Sequence, residues 1–196
     1  MNPWALLLAA SGYLLGSVSF AVLVVRLKTG KDIRLVGSGN AGATNVLRAH
    51  GRALGLLVAF LDVAKGAAAV LLVRLVTSDP RPAALAALAA ILGHVFPIFY
   101  GFRGGKGVAT AIGAFLVLAP AATLVSAGVF AAVVAITRYV SLGSMIRMTV
   151  LPAVAGFFHA PLPVVGAAAG VAVLIVFKHL ENLKRLARGE ERRIGR

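Results

Sequence analysis

From Trp4 to Val25 not one side chain carries a charge. An α-helix of about 20 apolar residues crosses the hydrocarbon core of a bilayer, so this stretch reads as a membrane span with Trp4 at the interface. It is too long for a secretory signal peptide, and Met1-Asn2-Pro3-Trp4 lacks a basic leader, so the span is expected to be retained. Similar apolar runs recur at 53–76, 83–100, 108–137, 148–158 and 164–177. Composition decides between a buried core and lipid as their surroundings. The 196 residues are 60% hydrophobic and 13% charged, with a mean hydropathy of +0.94. Soluble domains run nearer 45–50% apolar and about 25% charged.

Charge placement sets the topology. The run 108–137 is long for one span and short for two, and Pro120 lies inside it. Splitting it at Pro120 gives seven spans. The basic segments 26–52, 101–107, 138–147 and 178–196 then share the cytoplasmic side, and the sparse turns at Asp79, Pro120 and His159 face outward. A single span would put the basic tail opposite the first basic loop. The expectation is an all-α integral membrane fold: a seven-transmembrane-helix bundle, N-terminus outside and C-terminus cytoplasmic, in one membrane-embedded domain, 1–196. Spans 4 and 6 are short, span 6 occupying only 148–158, which tilt or local bilayer thinning accommodates. Gly12 and Gly16, four apart, allow a close helix contact.

The formal net charge of +14 would suggest nucleic acid in a soluble protein. Here the positive-inside rule accounts for it, no aromatic-interleaved basic surface accompanies it, and nucleic acid is not an expected partner. The absence of cysteine excludes disulfides, thiol nucleophiles and Cys-based metal sites.

Two charges, Asp62 and Lys65, interrupt the middle of the run 53–76. They are three apart, hence on one helical face. A lone charge at mid-membrane costs about 2.5–3.5 kcal/mol on insertion scales, so the two either pair as structural support or serve a transport pathway. One pair makes a poor conduit, which favours support. His94, before the second glycine stretch, suits a structural or a ligand-contact role equally; His50 and His159 are assigned none.

Three polar clusters share the cytoplasmic side. The stretch GSGNAGATNVLR at 37–48 has glycines at close intervals, which free backbone N–H groups to turn toward an anion. Ser38 adds a donor, and Arg48 a guanidinium fork that fits phosphate. Gly104-Gly105-Lys106-Gly107 repeats this logic at the start of a helix. It is no Walker A loop, because Tyr100 stands where the first glycine belongs and Gly107 follows the lysine. In the third cluster His179 and Asn182 share a face if the last helix continues, while Lys184, Arg185 and Arg188 suit a snorkelling anchor. No Asp/Glu cluster is available for Mg²⁺, so neither metal nor cofactor is expected and a CDP-alcohol phosphotransferase is disfavoured. No histidine is followed by Asp at the fifth position, so the HxxxxD signature of the common acyl-CoA-dependent acyltransferases is missing.

These residues resemble the bacterial acyl-phosphate:glycerol-3-phosphate acyltransferases. GSGNAGATNVLR is similar to that family's first motif, GHVFPIFYGFRGGKGVAT (93–110) to its second and HLENLKRLARGEE (179–191) to its third. Arg103 and Lys178 depart from the family's usual Lys and Arg, with charge kept. The resemblance implies an enzyme of the bacterial inner membrane, with its active site at the cytoplasmic face. It would transfer a fatty acyl group from acyl phosphate to the sn-1 hydroxyl of glycerol 3-phosphate, yielding lysophosphatidic acid and phosphate at the entry to phospholipid synthesis. Membrane lipids, and functional coupling to an enzyme that produces acyl phosphate, are the implied partners.

On that reading Ser38, Arg48, Lys106, His179 and Asn182 are the catalytic set. The donor phosphate would lie on the first loop, at Gly37, Gly39, Asn40, Gly42, Thr44 and Asn45, with help from Gly104, Gly105, Gly107 and Lys106. Arg48, His179 and Asn182 would hold glycerol 3-phosphate, with Lys106 open to sharing between the two substrates. The general base is either His179 or a phosphate oxygen of the donor, and a cationic pocket favours the latter. The runner-up from another class is a small anion transporter; a non-enzymatic scaffold would leave the three clusters unexplained.

Overall fold

The computed structural model describes residues 3–194, which are helical with no strand among them. Contacts divide the chain into two compact units, Met1–Val117 and Leu118–Arg196.

Unit one contains α1 (Pro3–Gly16), α2 (Phe20–Thr29), α3 (Ala43–His50), α4 (Arg52–Arg74), α5 (Pro80–Val95) and α6 (Val108–Leu118), whose end meets the unit boundary. Lipid tails are as apolar as leucine, so helices in a bilayer gain most by close backbone approach at small residues. The α1–α5 crossing does this: Gly16 lies against the backbone of Ala90, and Gly93 against the Tyr13 carbonyl, with no room for a Cβ at either. The contact expected of Gly12 and Gly16 therefore falls on α5. A second seam joins α4 to α6, where Gly66 abuts the Thr110 carbonyl and Gly113 the Val63 carbonyl. Leu7, Leu14, Leu56, Phe60 and Leu71 remain exposed, as side chains facing lipid would be.

The first span is broken. α1 ends at Gly16, where both the Ser17 N–H and its Oγ turn back to the Tyr13 carbonyl, each at 2.8 Å. The helix resumes at Phe20. The Val18 carbonyl, inside the break, accepts Lys65 Nζ at 2.7 Å.

Unit two contains α7 (Pro120–Thr137), α8 (Val140–Phe157), α9 (Leu162–Lys178) and α10 (Leu180–Ala187), with α8 packed on both α7 and α9. The expected division at Pro120 is present: α6 stops at Leu118, and Pro120 opens α7, where its missing N–H costs no helical bond. Residues 138–147, expected as a connection, are mostly helix. α8 begins at Val140 and runs through Arg147, so the sixth apolar run is 18 residues long and not the short segment 148–158. Arg147 is buried, with Nη2 at 3.4 Å from both the Thr123 carbonyl and Ser126 Oγ and the guanidinium above the Phe130 ring. Those partners on α7 let the helix carry a cation inward.

Among the described residues five helical stretches are long and apolar enough to cross a membrane, with the α1–α2 pair counted as one, or six if the α9–α10 pair, bent by 55°, is included. α6 is apolar but has only 11 residues. At 1.5 Å per residue it spans about 17 Å, short of a core about 30 Å thick.

Candidate functional site

In unit one, the first polar loop rests on its own small core. Ala21, Val22 and Val25 of α2, Ile33, Ala41, Val46 of α3 and Val58 of α4 are all buried together, and Tyr100 packs against them. Asn45 organises the loop from within. Its Oδ1 accepts the Ser38 N–H at 3.0 Å, and its Nδ2 reaches the carbonyls of Val36 (2.9 Å), Asn40 (3.1 Å) and Ile33 (3.3 Å). Gly37 and Gly39 take positive φ, which turns the chain around this carboxamide; a Cβ at Gly37 would strike Asn45 Oδ1.

The loop amides do not all face one point. The Gly39 N–H bonds the Val36 carbonyl and the Gly42 N–H bonds the Asn40 carbonyl, so these two, like that of Ser38, hold the loop together. What the loop presents outward is the exposed Ser38, the exposed Thr44 and Arg48 on α3, and the start of α3. The first helical bond there runs from the Asn45 N–H to Gly42, leaving the N–H groups of Ala43 and Thr44 upstream of it.

The second glycine stretch lies against the first loop. A Cβ at Gly105 would meet the Ala41 carbonyl at 2.8 Å and collide with His94 Nε2. Gly104 is packed as tightly against the His94 carbonyl, and Gly107 takes φ +85°. Lys106, half-buried, is thus carried on a turn held against Ala41. A further link went unrecognised in the sequence: Arg34 donates to the Tyr100 carbonyl at 2.8 Å while its Nε and Nη2 grip Asp32. The Arg34 guanidinium holds the Asp32 carboxyl below the usual carboxylate range. The only early signal was an Asp two residues before an Arg. Beside this link an open basin of about 580 Å³ is lined by Arg26, Arg34, Phe99, Tyr100, Gly101 and Arg103, and none of the expected site residues borders it.

In unit two, the helix does not continue straight through the third motif. His179 stands at the break between α9 and α10. Its Nδ1 lies 2.7 Å from the Ile175 carbonyl, the acceptor its own N–H would use in a continuous helix, and that N–H bonds Val176 instead. A carbonyl only accepts, so Nδ1 carries the proton and the lone pair of the neutral ring is on Nε2. His179 and Asn182 are both buried.

Asn182 Nδ2 donates to Glu191 Oε1 at 2.7 Å. The same oxygen accepts Ser141 Oγ at 2.9 Å, and Oε2 accepts Arg185 Nε at 2.8 Å. Burial opposes ionisation of Glu191, but the bonds from Arg185, Asn182 and Ser141 outweigh it and hold the carboxyl below the ordinary glutamate range. The tail reaches this place through a glycine turn: Gly189 takes φ +71°, with the Glu190 N–H on the Arg185 carbonyl and the Gly189 N–H on the Leu186 carbonyl, a Schellman closure of α10. Beyond it the Ile194 N–H bonds the Arg138 carbonyl at 2.9 Å. Sequence reasoning missed Glu191 and Ser141, although Glu191 closes the third motif.

Long apolar helices, with polar motifs confined to the segments that join or end them, define a polytopic integral membrane protein. The family model described as glycerol-3-phosphate acyltransferase matches residues 6–189. Curated glycerol-3-phosphate acyltransferases of Anaeromyxobacter sp. (strain Fw109-5) and of Geobacter sulfurreducens are each 47% identical to this chain, over 96% of both chains in each pair. Among solved structures, that of PlsY (YgiH), an integral membrane glycerol 3-phosphate acyltransferase, matches in its glycerol 3-phosphate form with a TM-score of 0.94 and 41% identity, over 98% of this chain and 96% of that one. Its lysophosphatidic acid form matches with a TM-score of 0.90 and 38% identity over the same shares. The chain belongs to the glycerol-3-phosphate acyltransferase family.

Proposed function

We propose that this protein transfers a fatty acyl group from acyl phosphate to the sn-1 hydroxyl of glycerol 3-phosphate. Products are 1-acyl-glycerol 3-phosphate and inorganic phosphate, formed at the cytoplasmic face of a bacterial inner membrane. The observation that carries the acceptor and product is the likeness to PlsY in its glycerol 3-phosphate and lysophosphatidic acid forms. The donor assignment rests on the resemblance of the three motifs and on a chain with neither a Walker A loop nor an HxxxxD signature.

Acyl phosphate is a mixed anhydride, already activated, so catalysis reduces to positioning two phosphates and stabilising a tetrahedral oxyanion. The acceptor oxygen attacks the acyl carbon, the bond from that carbon to the phosphate oxygen breaks, and phosphate leaves. Ser38 and Lys106 hold the donor phosphate, aided by the start of α3. Arg48, His179 and Asn182 hold glycerol 3-phosphate. Asn45, with both ends of its carboxamide engaged by the loop, positions Ser38. A donor phosphate oxygen takes the hydroxyl proton, which requires no side-chain base; His179, through Nε2, orients the acceptor.

Purified protein in detergent, given acyl phosphate and glycerol 3-phosphate without nucleotide, is expected to release phosphate and form lysophosphatidic acid. Turnover with acyl-CoA but not acyl phosphate would sink the donor assignment. Ser38→Ala and Arg48→Ala are each expected to lower kcat/KM by about 100-fold or more; near-wild-type values would remove them from the site. His179→Ala is expected to retain measurable turnover at saturating substrate, and complete loss with intact binding would make His179 the base.

A further inference from the structure

His94 joins the buried polar interior of unit one to the glycine turn that carries Lys106. On one edge of its ring, Nδ1 lies 3.1 Å from Thr110 Oγ1 and 3.6 Å from Asp62 Oδ1. Asp62 pairs with Lys65 at 2.8 Å, and Lys65 is itself fixed on the Val18 carbonyl. On the other edge, Nε2 occupies the space a side chain at position 105 would need. The backbone completes the clamp, because the His94 carbonyl accepts the Gly105 N–H at 3.1 Å. Gly105 is bounded on its remaining side by the Ala41 carbonyl of the first polar loop.

We propose that His94 is a positioning residue for phosphate binding. Its ring, held at Nδ1 by Thr110 with Asp62 beside it, wedges the Gly104–Gly107 turn against Ala41 and so sets where Lys106 meets the substrate phosphate. An apolar ring of similar size would fill the space but would have no partner for Thr110 or Asp62, and nothing would stop it rotating away from Gly105. Side-chain packing alone therefore does not account for a histidine here. The proposal rests on the phosphate-binding role of Lys106 given above.

Three variants test it. His94→Asn keeps a polar atom near the Nδ1 position and removes the edge beside Gly105. It is expected to raise the KM for acyl phosphate roughly tenfold with kcat within about threefold, the pattern of lost ground-state binding. Thr110→Val, nearly isosteric, removes only the anchor and is expected to raise the same KM about threefold with the melting temperature in detergent unchanged. Gly105→Ala is expected to be severe in wild type and milder in the His94→Asn background, where the ring no longer meets the new methyl group. Wild-type KM in both His94→Asn and Thr110→Val, or strictly additive Gly105 and His94 penalties, would overturn the proposal. If His94→Asn does not fold, Thr110→Val alone decides. Calorimetric titration with inorganic phosphate, the group Lys106 holds, reads the weakening of binding without turnover. Failure of the acyl-phosphate assignment would therefore leave this measurement standing, whereas equal affinity in wild type and variants would remove the positioning role.

Discussion

The Asn45 carboxamide accepts the backbone N–H of Ser38 at 3.0 Å and donates to the Val36 and Asn40 carbonyls from its other end. The side chain that prepares the loop is thus a different one from the side chain that faces outward. Asn45→Ala removes the common partner of these part-buried groups, a loss of about 0.5–1.5 kcal/mol per hydrogen bond. Hydrogen exchange at residues 36–46 is expected to accelerate, and turnover to fall about as far as in Ser38→Ala. Unchanged protection in this segment would show that the loop is held by something else.

At the α1–α5 crossing, Gly93 leaves no room between itself and the Tyr13 carbonyl. Gly93→Leu is expected to lower the melting temperature in detergent, corresponding to a loss of about 1–3 kcal/mol or more by overpacking. Gly128, in unit two, has nothing within reach of a Cβ and serves as the control. Gly128→Ala is expected to be neutral or slightly stabilising, and equal damage from both would contradict the seam.

Arg147 is buried with two long hydrogen bonds, and its Nε has no partner among the described residues. Removing such a poorly compensated charge while keeping the volume is often neutral or stabilising. Arg147→Met is expected to melt at the wild-type temperature or above it. A marked fall would mean that the α7 contacts contribute more than their geometry implies.

Glu191 ties the tail to Ser141, Asn182 and Arg185. Its carboxyl is lowered in the folded protein, so its contribution to stability is present above the ordinary glutamate value, about 4.3, and is lost as the pH falls through the folded value. Exchange protection at residues 190–194 is expected to drop below about pH 4.3, and Glu191→Gln to remove that pH dependence. A tail equally protected at low pH in both proteins would refute the assignment.

The long apolar runs announced α4, α5 and α7, and Pro120 marked a real helix boundary, because lipid-facing length and a missing N–H are local properties. The break after Gly16 was hidden, since Ser17 and Ser19 barely alter hydropathy and the partner of the Val18 carbonyl lies 47 residues away on α4. Arg147 misled in the opposite direction: a charge suggested a loop, and only the neighbouring helix reveals how it is accommodated. At the candidate site, residue type pointed to Ser38, Arg48 and Lys106. Sequence could not show that the Gly39 and Gly42 amides bond inward, or that Glu191 takes the Asn182 amide, because both depend on where the backbone folds back.

The Asp62–Lys65 pair also bears on how the protein enters its membrane. On its own in lipid, α4 carries two mid-helix charges that pair with each other but lack their partners from outside the helix, against a cost of about 2.5–3.5 kcal/mol for a lone charge at mid-bilayer. The Val18 carbonyl that accepts Lys65 and the His94 ring beside Asp62 belong to segments before and after it. α4 is therefore a reluctant span until α5 has been synthesised, and unit one settles as a set instead of helix by helix. Insertion assays on α4 alone should report a poor span that improves when the segment from α1 to α5 is supplied; efficient insertion of the isolated helix would remove this dependence.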